Sequence, residues 1–168
     1  MPAHPLIAVS GMAAVILGAA LALTPLPDGV PLPAPPGFSP PSSSAGNHTL
    51  TLHGDQSGQF WVNGFVNGVV AVKFIADTGA SNTSFGLNDA KRLGLDPARL
   101  VFSGRSSTAN GTIRTARARV QCLQIGPFVL RDVPVSIGEG DSPPLLGMDV
   151  LRRFRLVIGR DTLTISER

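Results

Sequence analysis

The run Phe74-Ile75-Ala76-Asp77-Thr78-Gly79-Ala80-Ser81 sets a carboxylate directly after an apolar stretch and follows it with a hydroxyl, a glycine and small residues. A carboxylate at the end of a buried strand is costly unless something solvates it or shares its proton. Gly79 lets the backbone turn back closely, so neighbouring amides and the hydroxyl of Thr78 or Ser81 can hydrogen-bond near the acid. Taken alone, the triplet reads as a turn with an aspartate in it. Other chemistry is poorly provided for. The three histidines, His4, His48 and His53, precede the core of the body, and no Cys/His spacing matches a zinc site, so no metal and no cofactor are expected. The single cysteine, Cys122, lies in the apolar stretch from Val120 to Ile125 and reads as a small buried hydrophobe. No Gly-rich phosphate loop with a following lysine and no carboxylate set suited to Mg²⁺ is present, which disfavours phosphoryl transfer.

The elements that must position this acid occupy only part of the chain. All 14 Lys and Arg lie at or after Lys73, and the only acid before Asp55 is Asp28, so an uncharged front precedes a charged body. Residues Leu6 to Leu23 form an uncharged apolar run close to the roughly 20 residues that cross a bilayer. The Ala20-Leu21-Ala22 pattern resembles a cleavage site, but no basic residue precedes the run, which favours an uncleaved anchor. We therefore expect a transmembrane segment over 1–24, single-pass, with the C-terminal body on the extracytoplasmic (periplasmic) side. From Pro25 to Pro41 eight of seventeen residues are proline, followed by Ser42-Ser43-Ser44-Ala45-Gly46, so 25–46 reads as a semi-rigid linker. The body is expected over 47–168. Its net charge of +3 and pI near 10 come mostly from arginines spread along predicted strands, without a Lys/Arg block or stacking aromatics. A solvated basic face, and no nucleic-acid partner, is the expectation.

Within the body, short apolar runs alternate with Gly, Asn and Pro. Strands are predicted at 49–53, 59–66, 69–76, 112–125, 128–137 and 155–166, the last broken at Gly159-Arg160-Asp161. Asn67-Gly68 and Asn110-Gly111 are dipeptides that supply the positive φ angles of tight hairpins. Two short helices are predicted, one from Asn88 to Leu93, capped by Asn88 and stopped at Gly94, and one from Asp149 to Phe154. The fold class is all-β, compatible with a small barrel.

The apolar lead-in Val72 to Ala76, the Asp77-Thr78-Gly79-Ala80-Ser81 loop and the downstream Pro144-Leu145-Leu146-Gly147-Met148-Asp149 together resemble the retropepsin-like aspartic peptidases, in particular their single-domain, membrane-anchored bacterial group. Gly58-Gln59-Phe60, Asn63-Gly64 and Val66-Asn67-Gly68 before the loop, and Ala90-Lys91-Arg92-Leu93-Gly94-Leu95 after it, extend the resemblance over about residues 56 to 166. It implies a closed small β-barrel with a flap hairpin and one or two short helices. Leu145-Leu146-Gly147 would form the strand that crosses behind the active loop. It also implies an aspartic endopeptidase acting on peptide or protein substrates, with Asp77 as the catalytic carboxylate.

Peptide hydrolysis needs one carboxylate to activate water and a second carboxyl group to protonate the carbonyl, and two close carboxylates share a proton because both cannot ionise together. The body holds one Asp-Thr-Gly and is too short for two barrels, so a twofold homodimer with one Asp77 per chain is the natural solution. By resemblance, Thr78 would lock the two loops together across the dyad, Gly79 would lie beside the substrate, and the flap would be the hairpin around Thr108, Ala109, Asn110 and Gly111. Two departures stand out. The chain has no tyrosine, and Met148 precedes Asp149 where viral relatives carry an arginine, leaving Asp149 as an acid that simply starts a helix. The alternative function is a membrane-tethered dimeric binding domain of the same fold that does not cut.

Overall fold

The computed structural model describes residues 30–31, 48–108 and 111–168. The expected transmembrane segment, residues 6–23, and most of the linker lie outside them. Among the described residues no helix is long and apolar enough to cross a membrane.

Among the described residues eleven strands and two short helices follow one another: β1 (Val30–Pro31), β2 (Thr49–His53), β3 (Trp61–Val66), β4 (Val70–Ala76), β5 (Ser84–Phe85), α1 (Leu87–Arg92), β6 (Gly104–Thr108), β7 (Gly111–Ile125), β8 (Phe128–Gly138), β9 (Leu145–Leu146), α2 (Met148–Leu151), β10 (Arg155–Ile158) and β11 (Thr162–Ser166). A 3₁₀ turn over Pro97–Arg99 is capped by the Asp96 side chain. The body is mostly β, as expected. One closed barrel is met only in part. In the larger sheet, ordered β1-β7-β3-β4-β9-β5-β8, β8 also pairs with β7 and brings the path back on itself, but β10, β11 and β2 form a separate three-stranded sheet.

Alternation explains the long strands. In β4, Val72, Phe74 and Ala76 face the core while Ala71 and Lys73 face out. In β7, Ala116, Ala118, Val120 and Cys122 are buried while Arg117 and Gln121 are exposed, the period-two pattern of a sheet with one wet face. Phe74 and Phe85 meet edge to face at 5.6 Å between ring centroids, joining β4 to β5 inside the core. The Phe128 ring, at the start of β8, tilts against Phe154 at 4.6 Å and so ties the region after α2 to the larger sheet.

The turn signals behave as expected where the backbone is described. Asn67 and Gly68 have φ of 50° and 74°, the positive values of a type I′ hairpin between β3 and β4. Asn67 also serves β7: its amide donates to the Cys122 carbonyl at 2.9 Å, and its Oδ1 accepts from the Cys122 amide at 3.1 Å. Cys122 is fully buried, and desolvation pushes its thiol up from the ordinary range, consistent with a packing role.

Two expectations, both of helices, need correction. α1 begins at Leu87 after Gly86, and Asn88 does not cap it; the Asn88 amide and side chain instead bond the Asp141 carboxylate. α2 spans only Met148–Leu151, because the chain turns after it to start β10 at Arg155. Val30–Pro31, inside the segment expected as a semi-rigid linker, pairs in parallel with Ala118 and Arg119 of β7, where that strand's edge is covered by neither β6 nor β3. The two-residue strands β5 and β9 and the arm β6 are too short or too polar to give a period signal.

Gly64 has a steric reason to lack a side chain: a Cβ there would sit 2.4 Å from the Gln124 carbonyl oxygen, on the paired strand β7. Gly64→Ala is expected to lower the denaturant midpoint by an amount equivalent to about 1–3 kcal/mol, the usual cost of overpacking a tight site, as read by urea unfolding.

Candidate active site

Asp77 is half-buried and lies immediately beyond the last residue of β4. Its own side chain makes the first turn of the loop, with Oδ1 accepting from the Gly79 amide at 2.8 Å. The Asp77 carbonyl accepts from the Ala80 amide at 3.3 Å, closing a tight turn in which Thr78 and Gly79 are exposed. The carboxylate therefore sits at the rim of the core, with one oxygen engaged by the turn.

The loop runs from Asp77 to Thr83 and then enters β5. Leu145 and Leu146, as β9, insert between the two strands that flank it: β9 pairs in parallel with β4 (Ile75 with Leu145, Ala76 with Leu146) and antiparallel with β5 (Ser84 with Leu145). The Asp77 amide donates to the Leu146 carbonyl at 3.0 Å. The expected strand behind the loop is thus present, and Leu146 is fully buried in the core. Gly147 is required by close approach, since a Cβ would fall 2.4 Å from the Asn82 carbonyl carbon and 2.8 Å from the Thr83 amide nitrogen.

α2 then turns its free amides onto the loop. A helix start leaves its first N–H groups without intrahelical partners, and here the Met148 amide donates to the Ala80 carbonyl at 2.8 Å and the Asp149 amide to the Ser81 carbonyl at 3.1 Å. Ala80 and Ser81 are thereby held by their main chains. Two further residues complete the support, and the sequence did not single them out for it. Thr83 is completely buried; its amide and its hydroxyl each donate to Asp149 Oδ1 at 2.8 Å, and the hydroxyl accepts from the Gly147 amide at 3.2 Å. Asp149 is therefore more than a helix-starting acid. The available signal was a threonine six residues after the aspartate in an otherwise small, polar loop, and nothing in the spacing pairs it with a residue 66 positions away.

On the other side, Ala76 donates its amide to the Phe60 carbonyl at 2.8 Å. Phe60 ends a tight turn organised by Asp55, whose Oδ1 accepts from the Ser57 amide, the Ser57 hydroxyl and the Gln59 amide, and whose Oδ2 accepts from Trp61 Nε1 at 2.8 Å. These donors hold the Asp55 carboxyl well below the usual carboxylate range. The Lys73 ammonium lies 4.8 Å from the Trp61 ring centroid, so β3 and β4 are also joined on their outer face.

The hairpin expected to serve as the flap consists of two paired arms, Gly104–Thr108 and the start of β7 from Gly111, in the register Gly104 with Thr115 through Thr108 with Gly111. Thr108 and Gly111 lie at its end, with the Thr108 hydroxyl donating to the Gly111 carbonyl at 2.7 Å; Ala109 and Asn110 lie outside the described residues. Phe74 and Ile137 are core, Ile113 is half-buried beside Gly138, and Phe65 is exposed on β3 opposite Ala71, at the end of β4 away from Asp77. A groove beside α2, lined by Met148, Arg152, Phe154, Arg155, Leu156, Glu167 and Arg168, is separate from Asp77. Among the described residues no group of three or more His, Cys, Asp or Glu could hold a metal ion.

The family model for the gag-polyprotein putative aspartyl protease matches residues 62–153, from within β3, through the loop, to just beyond α2. The chain belongs to the retropepsin-like aspartic protease family. It is similar to the crystal structure of a retropepsin-like aspartic protease from Rickettsia conorii, with 33% identity over 71% of this chain and 91% of that chain and a TM-score of 0.65. It is also 33% identical over 119 residues to an uncharacterized protein in the cobV 5′ region of a Sinorhizobium species, covering 69% of this chain and 50% of that protein. To the uncharacterized protein RP867 of Rickettsia prowazekii it is 33% identical over 127 residues, covering 74% and 53% respectively. The chain spans about half the length of these curated relatives.

For this retropepsin-like chain, the Asp55 turn gives a pH test with a definite sign. A carboxyl whose folded pKa is depressed contributes stability above its unfolded value, near 4, and that stability is lost as pH falls. Asp55→Asn is expected to lower the melting temperature at pH 7, and the gap to the unsubstituted protein should narrow steadily below about pH 4. Thermal melts across pH 3 to 8 check this; a gap that widens in acid would contradict it.

Proposed function

We propose that the chain is an aspartic endopeptidase that works as a homodimer, with one Asp77 from each chain forming the catalytic pair. The observation that carries this reading is the loop itself. A lone half-buried acid, turned by Gly79, is held at the rim of the core by β9 and α2 in a chain of the retropepsin-like family. One carboxylate cannot act as base and acid in the same step. Two such loops facing across a twofold axis would share a single proton: the ionised Asp77 takes a proton from water as its oxygen attacks the peptide carbonyl, and the protonated Asp77 gives its proton to the carbonyl oxygen. Collapse of the resulting tetrahedral species returns a proton to the leaving nitrogen and breaks the C–N bond.

In this reading Thr78 and Gly79, both exposed on the loop, face the partner loop and the substrate, and the β6–β7 hairpin closes over the peptide as a lid. Substrates are peptides or proteins, and the apolar N-terminal run over 6–23 tethers the body to a membrane, on the periplasmic side. Protease accessibility of the body in intact against opened cells tests the tether and its orientation.

Asp77→Asn is expected to reduce peptide cleavage by about 10²- to 10⁴-fold, the usual size of a general acid–base contribution, without loss of fold by circular dichroism. The dimer is tested by mixing. Adding excess Asp77→Asn chain to the unsubstituted protein should lower its activity as mixed dimers form, whereas an active monomer would be unaffected. An unsubstituted chain that cleaves no peptide above the background set by Asp77→Asn would sink the peptidase reading and leave the non-cutting binding domain.

A further inference from the structure

We infer that Thr83 and Asp149 are positioning residues for Asp77, acting through the main chain of the loop; the catalytic part of this inference rests on the proposed peptidase reading. The loop from Asp77 to Thr83 is held at both ends by one short stretch of chain, residues 146–149. At its start the Asp77 amide bonds the Leu146 carbonyl, in its middle the Ala80 and Ser81 carbonyls accept from the Met148 and Asp149 amides, and at its end Thr83 bonds Asp149. Thr83 is a junction with every polar group used: amide and hydroxyl to Asp149, hydroxyl from Gly147, and carbonyl from the Ser136 amide at 2.9 Å.

An ordinary acid at a helix start would bond only the amides of its own helix. Asp149 Oδ1 does accept from the Val150 amide at 2.9 Å, but it also accepts both donors of Thr83, from the far end of the Asp77 loop. All three donors converge on the one oxygen. An asparagine can present that same oxygen, so what the position requires is an acceptor in a fixed place and not a negative charge. Likewise the site needs the Thr83 hydroxyl, which both donates and accepts: a valine of the same shape would leave the buried Gly147 amide without its partner. Slack at Thr83 passes directly to Asp77, because only five residues separate them and both ends close on the same support.

The experiment compares Thr83→Val and Asp149→Ala with the conservative Thr83→Ser and Asp149→Asn in the full chain, by steady-state peptide cleavage and by backbone amide exchange. Misplacing a catalytic group by about 1 Å costs on the order of 10²-fold in rate, so Thr83→Val and Asp149→Ala are expected to lower kcat by that order with KM changed by less than about threefold. Thr83→Ser and Asp149→Asn should restore kcat to within a few-fold. Exchange at the Ala80 and Thr83 amides should accelerate by about tenfold or more in the first pair and little in the second, while β7 and β8 amides keep their protection. Unaltered exchange in the loop of Thr83→Val overturns the inference, and so does an Asp149→Asn variant as impaired as Asp149→Ala, which would show a need for charge. Should Asp149→Ala fail to fold, the Thr83 pair decides alone. The exchange measurement needs no turnover, so loss of the peptidase reading through Asp77→Asn and loss of this inference are separate results.

Discussion

An acid-bearing loop of seven residues cannot hold its own shape, and the architecture around Asp77 follows from that constraint. The Asp77 turn supplies only two local hydrogen bonds, Gly79 to the side chain and Ala80 to the carbonyl. Apart from the Ser136 amide, which meets the Thr83 carbonyl, the rest comes from residues 144–149, which return after more than sixty residues to lie between β4 and β5. β9 can enter because β4 and β5 do not pair with each other, and it satisfies the backbone on both sides. α2 can be as short as four residues because its unpaired amides find partners in the loop rather than in a longer helix. Gly147 is the point of nearest approach, where any side chain would drive the two segments apart. A net hydrogen bond is worth only about 1 kcal/mol, but a buried donor left without its partner costs about 1–3 kcal/mol, so such an interlocked set is strict about its members.

The same economy appears in β7, which serves four neighbours along fifteen residues. Its first third pairs with β6, its last residues with β3, most of its length with β8, and Ala118 and Arg119 with Val30–Pro31. The hairpin that would cover the site is therefore an extension of a strand anchored in the core by Val120, Cys122 and Leu123, not an independent loop. The root of the hairpin is thereby fixed to the core. The pairing of Val30–Pro31 brings part of the Pro-rich segment onto the same strand, so the chain ahead of the body meets it beside the root of the hairpin.

Arginine provides most of the positive charge, and several of its side chains close the ends of the fold. Arg92, Arg114, Arg119 and Arg168 each donate to a main-chain carbonyl, of Ala71, Phe102, Asp132 and Phe154 respectively. Arg92, Arg114 and Arg119 also meet Asp89, Glu139 and Asp132. These exposed ion pairs add little stability one by one. Their contribution lies in giving carbonyls at strand ends and turns a partner with a fixed fork of donors.

By itself the sequence determined the parts that local physics dictates. Alternating apolar patterning marked β2, β3, β4, β7, β8 and the β10–β11 pair, and Asn67-Gly68 marked a hairpin; the Asp77-Thr78-Gly79 loop and its backing strand Leu145-Leu146-Gly147 came from the resemblance to the retropepsin-like peptidases and not from any period. Helix limits were displaced by a residue or more because tertiary partners, Asp141 for Asn88 and the Asp77 loop for α2, replaced the local caps that sequence rules assume. Only the tertiary structure decided which residues hold the acid in place. The Thr83–Asp149 contact joins residues 66 apart through one carboxylate oxygen, and no period, cap or turn signal spans such a distance. Hydrophobic patterning is written along the chain because each residue's burial repeats with its own element. A hydrogen bond between two loops depends on where two distant backbones cross, and that is settled only when the core between them has packed.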